Sequence, residues 1–220
     1  MPNLFFSNIT PWAPGLGSDL ELWNEWANGV IPLIPSKECP KLDYTDPLFR
    51  RRLSQITKMT VHVIHELIEN TPVDKETKII FISQRGEIAR TFSVTKNLIE
   101  DNMILPAGFS LSVFNTPVSS ATLAFGLKGG YSVIYPSKGN FADAFKAAAA
   151  PVLAGTEKQV IIVYADELVP DSYGDKRPKN NCPLAFAGIL SSEKSNNCIS
   201  FDDFSNIPES PQEFLKLIIK

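Results

Sequence analysis

Apolar positions recur along this chain in two rhythms, one suited to strands and one to helices. Asn3 to Ile9 is a short apolar run that predicts a strand, closed by the turn-rich stretch Pro11 to Ser18. Leu20 to Val30, with two tryptophans, predicts a short helix, and Pro32, Pro35 and Pro40 make Ile31 to Tyr44 a loop. Asp46 can then cap and Pro47 can open a helix, where a missing N–H costs nothing. Phe49, Leu53, Ile56, Met59, Val63 and Leu67 follow at steps of three or four, so one long helix is expected up to Pro72. Thr77 to Ser83 is β-branched and continuous, the mark of a buried strand. Glu87 to Asp101 returns to helical spacing, through Ile88, Phe92, Thr95, Leu98 and Ile99.

Pro117 begins a helix of small residues that ends near Gly126. Tyr131 to Tyr135 predicts a strand stopped by Pro136. The alanine-rich stretch Asn140 to Leu153 predicts a helix, and Lys158 to Ala165 another buried strand. Leu168 to Asn181 is loop, Leu184 to Ser191 a last strand, and Pro211 to Ile219 a C-terminal helix. Strands alternating with helices imply βαβ units and a mostly parallel sheet covered on both faces. The last strand follows its predecessor without a helix, which predicts an antiparallel edge. The class is α/β, expected as one domain over residues 1–220.

Composition narrows the function classes. Apolar residues make up 44% and charged residues 20%, which excludes a disordered chain. No apolar run approaches the ~18 residues of a membrane span. The net charge of −3 leaves no footprint for nucleic acid, and Arg50-Arg51-Arg52 is too short to make one. Met1 to Thr10 lacks the pattern of a signal peptide, and the odd set Cys39, Cys182 and Cys198 forms no CxxC pair. The expected compartment is the cytoplasm.

Candidate chemistry is sparse. A hydrolase needs a nucleophile on a strand-to-helix turn and a base to activate it. Ser137 stands in such a turn, but the two histidines, His62 and His65, both fall on the helix after Asp46. Cys39 with His62 and His65 is the one conceivable zinc trio, and it lacks a second flanking cysteine. Gly126, Gly129 and Gly130 precede a strand rather than a helix, so they suit turns better than a phosphate cradle. Asp166 and Glu167 end a parallel strand, where ligands approach open α/β sheets. Without a partner acid they are expected to cap or to hold loops. No metal and no cofactor is expected.

Four blocks add a family resemblance: Arg51 to Met59 (R-R-L-S-Q-I-T-K-M), Ser83 to Glu87 (S-Q-R-G-E) with Arg90-Thr91, Phe109 to Asn115 (F-S-L-S-V-F-N), and Tyr164 to Glu167 (Y-A-D-E). In this order and spacing they resemble the stand-alone β-ketoacyl synthase N-terminal-domain proteins of bacterial aryl polyene type II polyketide systems, often described as chain length factors. The likeness runs from about Arg51 to Leu190. It departs at Phe114, where many members carry histidine. The resemblance implies half of a thiolase-like fold, a five-stranded mixed, mostly parallel sheet with helices on both faces. A full condensing enzyme has two such halves. Its nucleophilic cysteine opens the helix after the third strand, and its catalytic histidines come from the second half. The corresponding turn here, Tyr135 to Asn140, has no cysteine.

The resemblance therefore implies a non-catalytic subunit with no catalytic residue of its own. It would pair with a catalytic β-ketoacyl synthase, meet acyl carrier protein only indirectly, and help wall an elongation tunnel. Val118, Ala121, Leu123, Ala124 and Phe125 are the tunnel-facing candidates. Tyr131, Ser132, Val133, Ile134 and Tyr135 are the candidates for the partner interface. Two alternatives stay open: an acyl-transfer or hydrolytic enzyme using Ser137 or Ser132 with His62 or His65, and an orphan scaffold for carrier protein, disfavoured by the pI near 5.5.

Overall fold

The computed structural model describes residues 3–195, 198–201 and 206–219, with the backbone alone at Lys138. Among the described residues, six strands form one sheet: β1 (Leu4–Trp12), β2 (Ile79–Ile82), β3 (Tyr131–Ile134), β4 (Gln159–Asp166), β5 (Leu184–Ser191) and β6 (Cys198–Phe201). Their spatial order is β3-β2-β4-β5-β1-β6. The β3-β2-β4 half is parallel, and β5, β1 and β6 add antiparallel. The sheet is thus the mixed one expected, with one strand more. β6 is short and half-buried, and its sequence carries no strong strand pattern. β5 is antiparallel as expected but not an edge, because β1 pairs along its other side.

The helices are α1 (Leu20–Ala27), α2 (Pro47–Arg50), α3 (Gln55–Asn70), α4 (Ile88–Asp101), α5 (Pro106–Ser110), α6 (Thr116–Phe125), α7 (Phe141–Leu153) and α8 (Pro211–Ile219). The single helix expected after Asp46 is two. Asp46 does cap α2, but Ser54 is extended and accepts the Thr57 N–H at 3.2 Å, so α3 starts anew. An apolar rhythm of three and four cannot reveal such a break, because the stripe continues across it.

Alternation along the strands builds two cores. Ile80, Ile82, Val160, Ile162, Tyr164, Leu184 and Phe186 face α1, α7 and α8. Ile79, Phe81, Ile161, Val163, Ala165, Ala185 and Ala187 face α3 and α6. β1 serves both: its register slips between Ser7 and Thr10, where Asn8 takes φ 55°. One extra residue reverses the parity of a strand. Leu4 and Phe6 accordingly point into the first core and Trp12 into the second. Gly188 is required beneath Phe6, since a Cβ there would lie 2.4 Å from Cζ of the ring.

Candidate functional site

Parallel strands β2 and β4 end together, and the polar residues following each meet there. Asp166, at the end of β4, accepts hydrogen bonds from the Ser83 hydroxyl (2.9 Å), the Arg85 N–H (3.1 Å) and the Tyr164 hydroxyl (2.6 Å). The Gln84 N–H adds another at 3.2 Å, and the Arg85 guanidinium stands 4.0 Å away. Burial nevertheless pushes the Asp166 carboxyl above its ordinary range, against the pull of these donors. Burial, then the Asp166 charge, likewise raises the Tyr164 phenol.

Glu167 links two helix starts. It accepts the Ala89 N–H of α4 at 2.9 Å and the Ile56 N–H of α3 at 3.4 Å. Such N–H groups have no partner inside their own helices, so a carboxylate suits both ends. Desolvation still raises Glu167 to about 7, with the neighbouring Glu87 charge contributing. Glu87, 1% exposed, accepts from Ser54 at 2.6 Å, from Thr57, and from Arg90 Nε at 3.2 Å. Three of the four sequence blocks thus meet in one buried polar knot. The fourth closes over it: the Phe114 ring lies so near Gly86 (φ 55°) that a Cβ there would be 2.6 Å from Cδ2.

A cleft of 410 Å³ opens beside the knot, lined by Gln84, Arg85, Asn140, Asp166, Asn181 and Glu209 among others. It holds polar donors and acceptors but no assembled nucleophile and base. Ser83 is fully buried, and its hydroxyl is spent on Asp166. Among the described residues, no group of three or more His, Cys, Asp or Glu side chains is placed to hold a metal ion.

The paired serine and histidine of the enzyme alternative do not meet. His62 bonds Ser18 at 2.9 Å and Tyr44 at 3.3 Å, and His65 stacks on Tyr44 with centroids 3.5 Å apart. Both sit on α3, over one face of the sheet. Ser137 leads into α7 on the other face, and among the described residues no hydrogen bond joins it, or Ser132, to either histidine. Cys39 bonds the Lys37 carbonyl instead of joining the histidines, so the zinc trio is not assembled either.

The tunnel candidates divide. Val118 and Ala121 are fully buried against α3, and Phe125 is half-buried and stacked near His65 at 5.5 Å. Leu123 is 82% exposed and Ala124 is exposed. The interface candidates form the sheet edge: among the described residues β3 pairs only with β2, and Tyr135 just past it is 63% exposed. Sequence reasoning missed Ser54, Ser83, Glu87 and Tyr164. They stood in the quoted family blocks without a site role, and their other signal was position, polar residues abutting apolar strands or opening helices.

The sequence matches the family described as "Beta-ketoacyl synthase, N-terminal domain" over residues 23–213. The chain belongs to this family. No protein of curated function matches it in sequence. Among solved structures it is similar to a chain of the ketosynthase (ApeO) in complex with its chain length factor (ApeC) from Xenorhabdus doucetiae, with TM-score 0.77 and 23% identity, covering 99% of this chain and 91% of that one. It is also similar to the ishigamide ketosynthase/chain length factor (TM-score 0.67, 12% identity, 86% of this chain and 62% of that one). A third likeness is to the type II polyketide synthase complex AntDE:AntF, an acyl carrier protein with its ketosynthase (TM-score 0.68, 11% identity, 87% and 63%). The chain spans less than two thirds of the matched chains in these last two. The shared fold is half of the thiolase-like architecture. Among the described residues, no helix is long and apolar enough to cross a membrane.

Proposed function

We propose that this chain is a non-catalytic, chain length factor-like subunit. In the cytoplasm it pairs through β3 with a full-length β-ketoacyl synthase and helps wall the tunnel for a growing aryl polyene. The observation that carries the reading is the backbone of β3. The Ile79 N–H donates to the Gly130 carbonyl at 3.1 Å and the Ser83 N–H to the Ile134 carbonyl at 3.3 Å. In a parallel ladder this faces residues 130, 132 and 134 toward β2 and turns the backbone groups of Tyr131 and Val133 to the open edge. Such an edge, free of charge and proline, is a template for another strand.

Two further observations support it. The fold match covers nine-tenths of a chain in a ketosynthase–chain length factor complex, whereas full ketosynthases are matched over part of their length. And the turn that would carry a condensing nucleophile reads Tyr135-Pro136-Ser137-Lys138-Gly139-Asn140. Condensation needs a thiolate for the acyl chain and donors for the developing enolate. The partner supplies both, and acyl carrier protein reaches this subunit only indirectly. Leu123 and Ala124 are the tunnel-facing members of the small-residue helix.

Co-expression with the ketosynthase of the same system tests the pairing. A single co-eluting complex on size exclusion, with polyene product formed only when both chains are present, is expected. Separate elution, or an acyl thioester trapped on the isolated chain by intact mass, would overturn the reading.

A further inference from the structure

Away from the knot and the β3 edge, a second hollow opens between α2, the turn after it, α5 and α6, an open groove of 960 Å³. Phe49, Leu53, Leu111 and Leu123 give it apolar walls, and Leu48 at its rim is 59% exposed. Among the described residues its charged lining consists of Arg51, Arg52 and Arg90, with no carboxylate. Arg90 is already engaged, with Nε on Glu87 at 3.2 Å and Nη2 on the Arg52 carbonyl at 2.8 Å. Arg50 turns away to Asp43 at 3.1 Å. Arg51 and Arg52 are exposed, and neither guanidinium has an ion pair among the described residues.

Two uncompensated guanidinium groups beside bare apolar surface are unusual on a chain of net charge −3. Water solvates the arginines well but leaves the leucines exposed, so the groove favours an occupant that is apolar along its length and anionic at one end. A guanidinium fork matches a carboxylate in shape as well as charge. We infer that this groove binds a single-chain carboxylate of the fatty-acid type. The chain lies along Leu53, Leu111 and Leu123, and the carboxylate is held by Arg51 and Arg52. The groove shares Leu123 with the proposed tunnel wall, but binding is read on the isolated chain, so its failure leaves the pairing with a ketosynthase untouched.

The test is titration calorimetry on the isolated full chain with dodecanoate below its micelle concentration, beside acetate and dodecyltrimethylammonium. Dodecanoate is expected to bind at least about tenfold more tightly than either. The double substitution Arg51→Gln with Arg52→Gln is expected to weaken it about tenfold. Leu123→Gln weakens it too, while Ile99→Gln, on the apolar face of α4 outside the groove, leaves it unchanged. Equal binding of the cationic amphiphile would overturn the inference, as would an unchanged affinity in the arginine variant or an equal loss in Ile99→Gln. Arginine-dependent binding of an acidic peptide without binding of dodecanoate would also overturn it, in favour of a protein partner. The ligand series on the unaltered chain decides the matter even where a variant misfolds.

Discussion

The two ends of the sheet are finished in opposite ways. Toward β1 and β6 the molecule is closed. Phe141 and Phe145 of α7 meet Phe214 of α8 with ring centroids 5.0 and 4.8 Å apart, and Phe6, Phe186 and Phe201 pack around the same ring. Trp23 and Trp26 of α1 join this core, and Lys216 lies over the Trp26 ring at 5.1 Å. Toward β3 the molecule is unfinished. α4 has fourteen residues and a clear apolar side, yet none is fully buried. Ile99 is 76% exposed, and Met103, Leu105 and Phe109 stand about half out. Half of a two-halved fold should expose the face its other half would cover. Among the described residues, the run from Ile99 to Phe109 is such a surface, one whose chemistry asks for company.

The sharpest way to break this comparison is to truncate one apolar side chain on each side. Phe141→Ala deletes a fully buried side chain from the phenylalanine cluster, and such truncations cost about 3–5 kcal/mol. Ile99→Ala, on the open side, should stay within about 0.5 kcal/mol. Urea unfolding of the isolated chain measures both. Comparable losses would mean that α4 is held by the chain itself and that the open side is an ordinary surface.

The buried polar knot between these two ends has its own test, through pH. Glu167 is raised to about 7 from an ordinary 4.5 by burial. A carboxyl raised on folding contributes stability that is complete below its unfolded value and is lost as pH climbs through the folded one. The stability of the chain should therefore fall by about 3 kcal/mol between pH 4.5 and pH 8 from this group, and Asp166 acts in the same direction. Glu167→Gln should flatten that part of the slope and be the more stable chain at pH 8. A wild-type profile that rises with pH across this window would show that the knot is better solvated than its burial implies.

Legibility from sequence divides along the same line. The buried strands and α7 announced themselves because their apolar rhythm is fixed by the faces they bury. The β1 bulge did not, because one added residue at Asn8 leaves the run apolar while reversing its parity. The knot was half legible: Asp166 and Glu167 were placed correctly at a strand end, but their partners Ser83 and Arg85, and Ile56 and Ala89, lie far away in sequence. Only the fold brings them together, and no periodicity encodes it. The tunnel candidates show the opposite limit. A stripe of small residues does not say which side faces out, and α6 turns Val118 and Ala121 inward while leaving Leu123 and Ala124 out.

That split within one helix gives a third comparison. Ala121→Phe forces a ring into the contact with α3, and over-packing of this kind costs about 1–3 kcal/mol. Ala124→Phe adds the same ring to an exposed position and should leave stability almost unchanged. In the complex with the ketosynthase, Ala124→Phe is expected to shorten the polyene read by mass spectrometry. Unchanged product from a well-folded Ala124→Phe complex would remove α6 from the tunnel wall.

A small effect on the isolated chain, but the most telling one in the complex, is expected from Val133→Pro. Proline in a central strand removes a ladder hydrogen bond, but on an edge it can be tolerated where its nitrogen faces outward. The bonds from Ile79 to Gly130 and from Ser83 to Ile134 place the Val133 nitrogen on the side away from β2. The substitution therefore spares the internal ladder, and β3 already lies near the end of the sheet with only β2 to hold it. Unfolding of the isolated variant should shift by no more than about 1 kcal/mol, the scale of a strand-propensity change. In an added strand, by contrast, the Val133 N–H is one of the few donors that the short edge offers, and the ring fills the space a partner backbone would occupy. Co-elution with the ketosynthase should then be lost while the chain stays folded. A variant that folds and still co-elutes would move the joint from β3 to the apolar face of α4 and α5, which no proline at residue 133 would disturb.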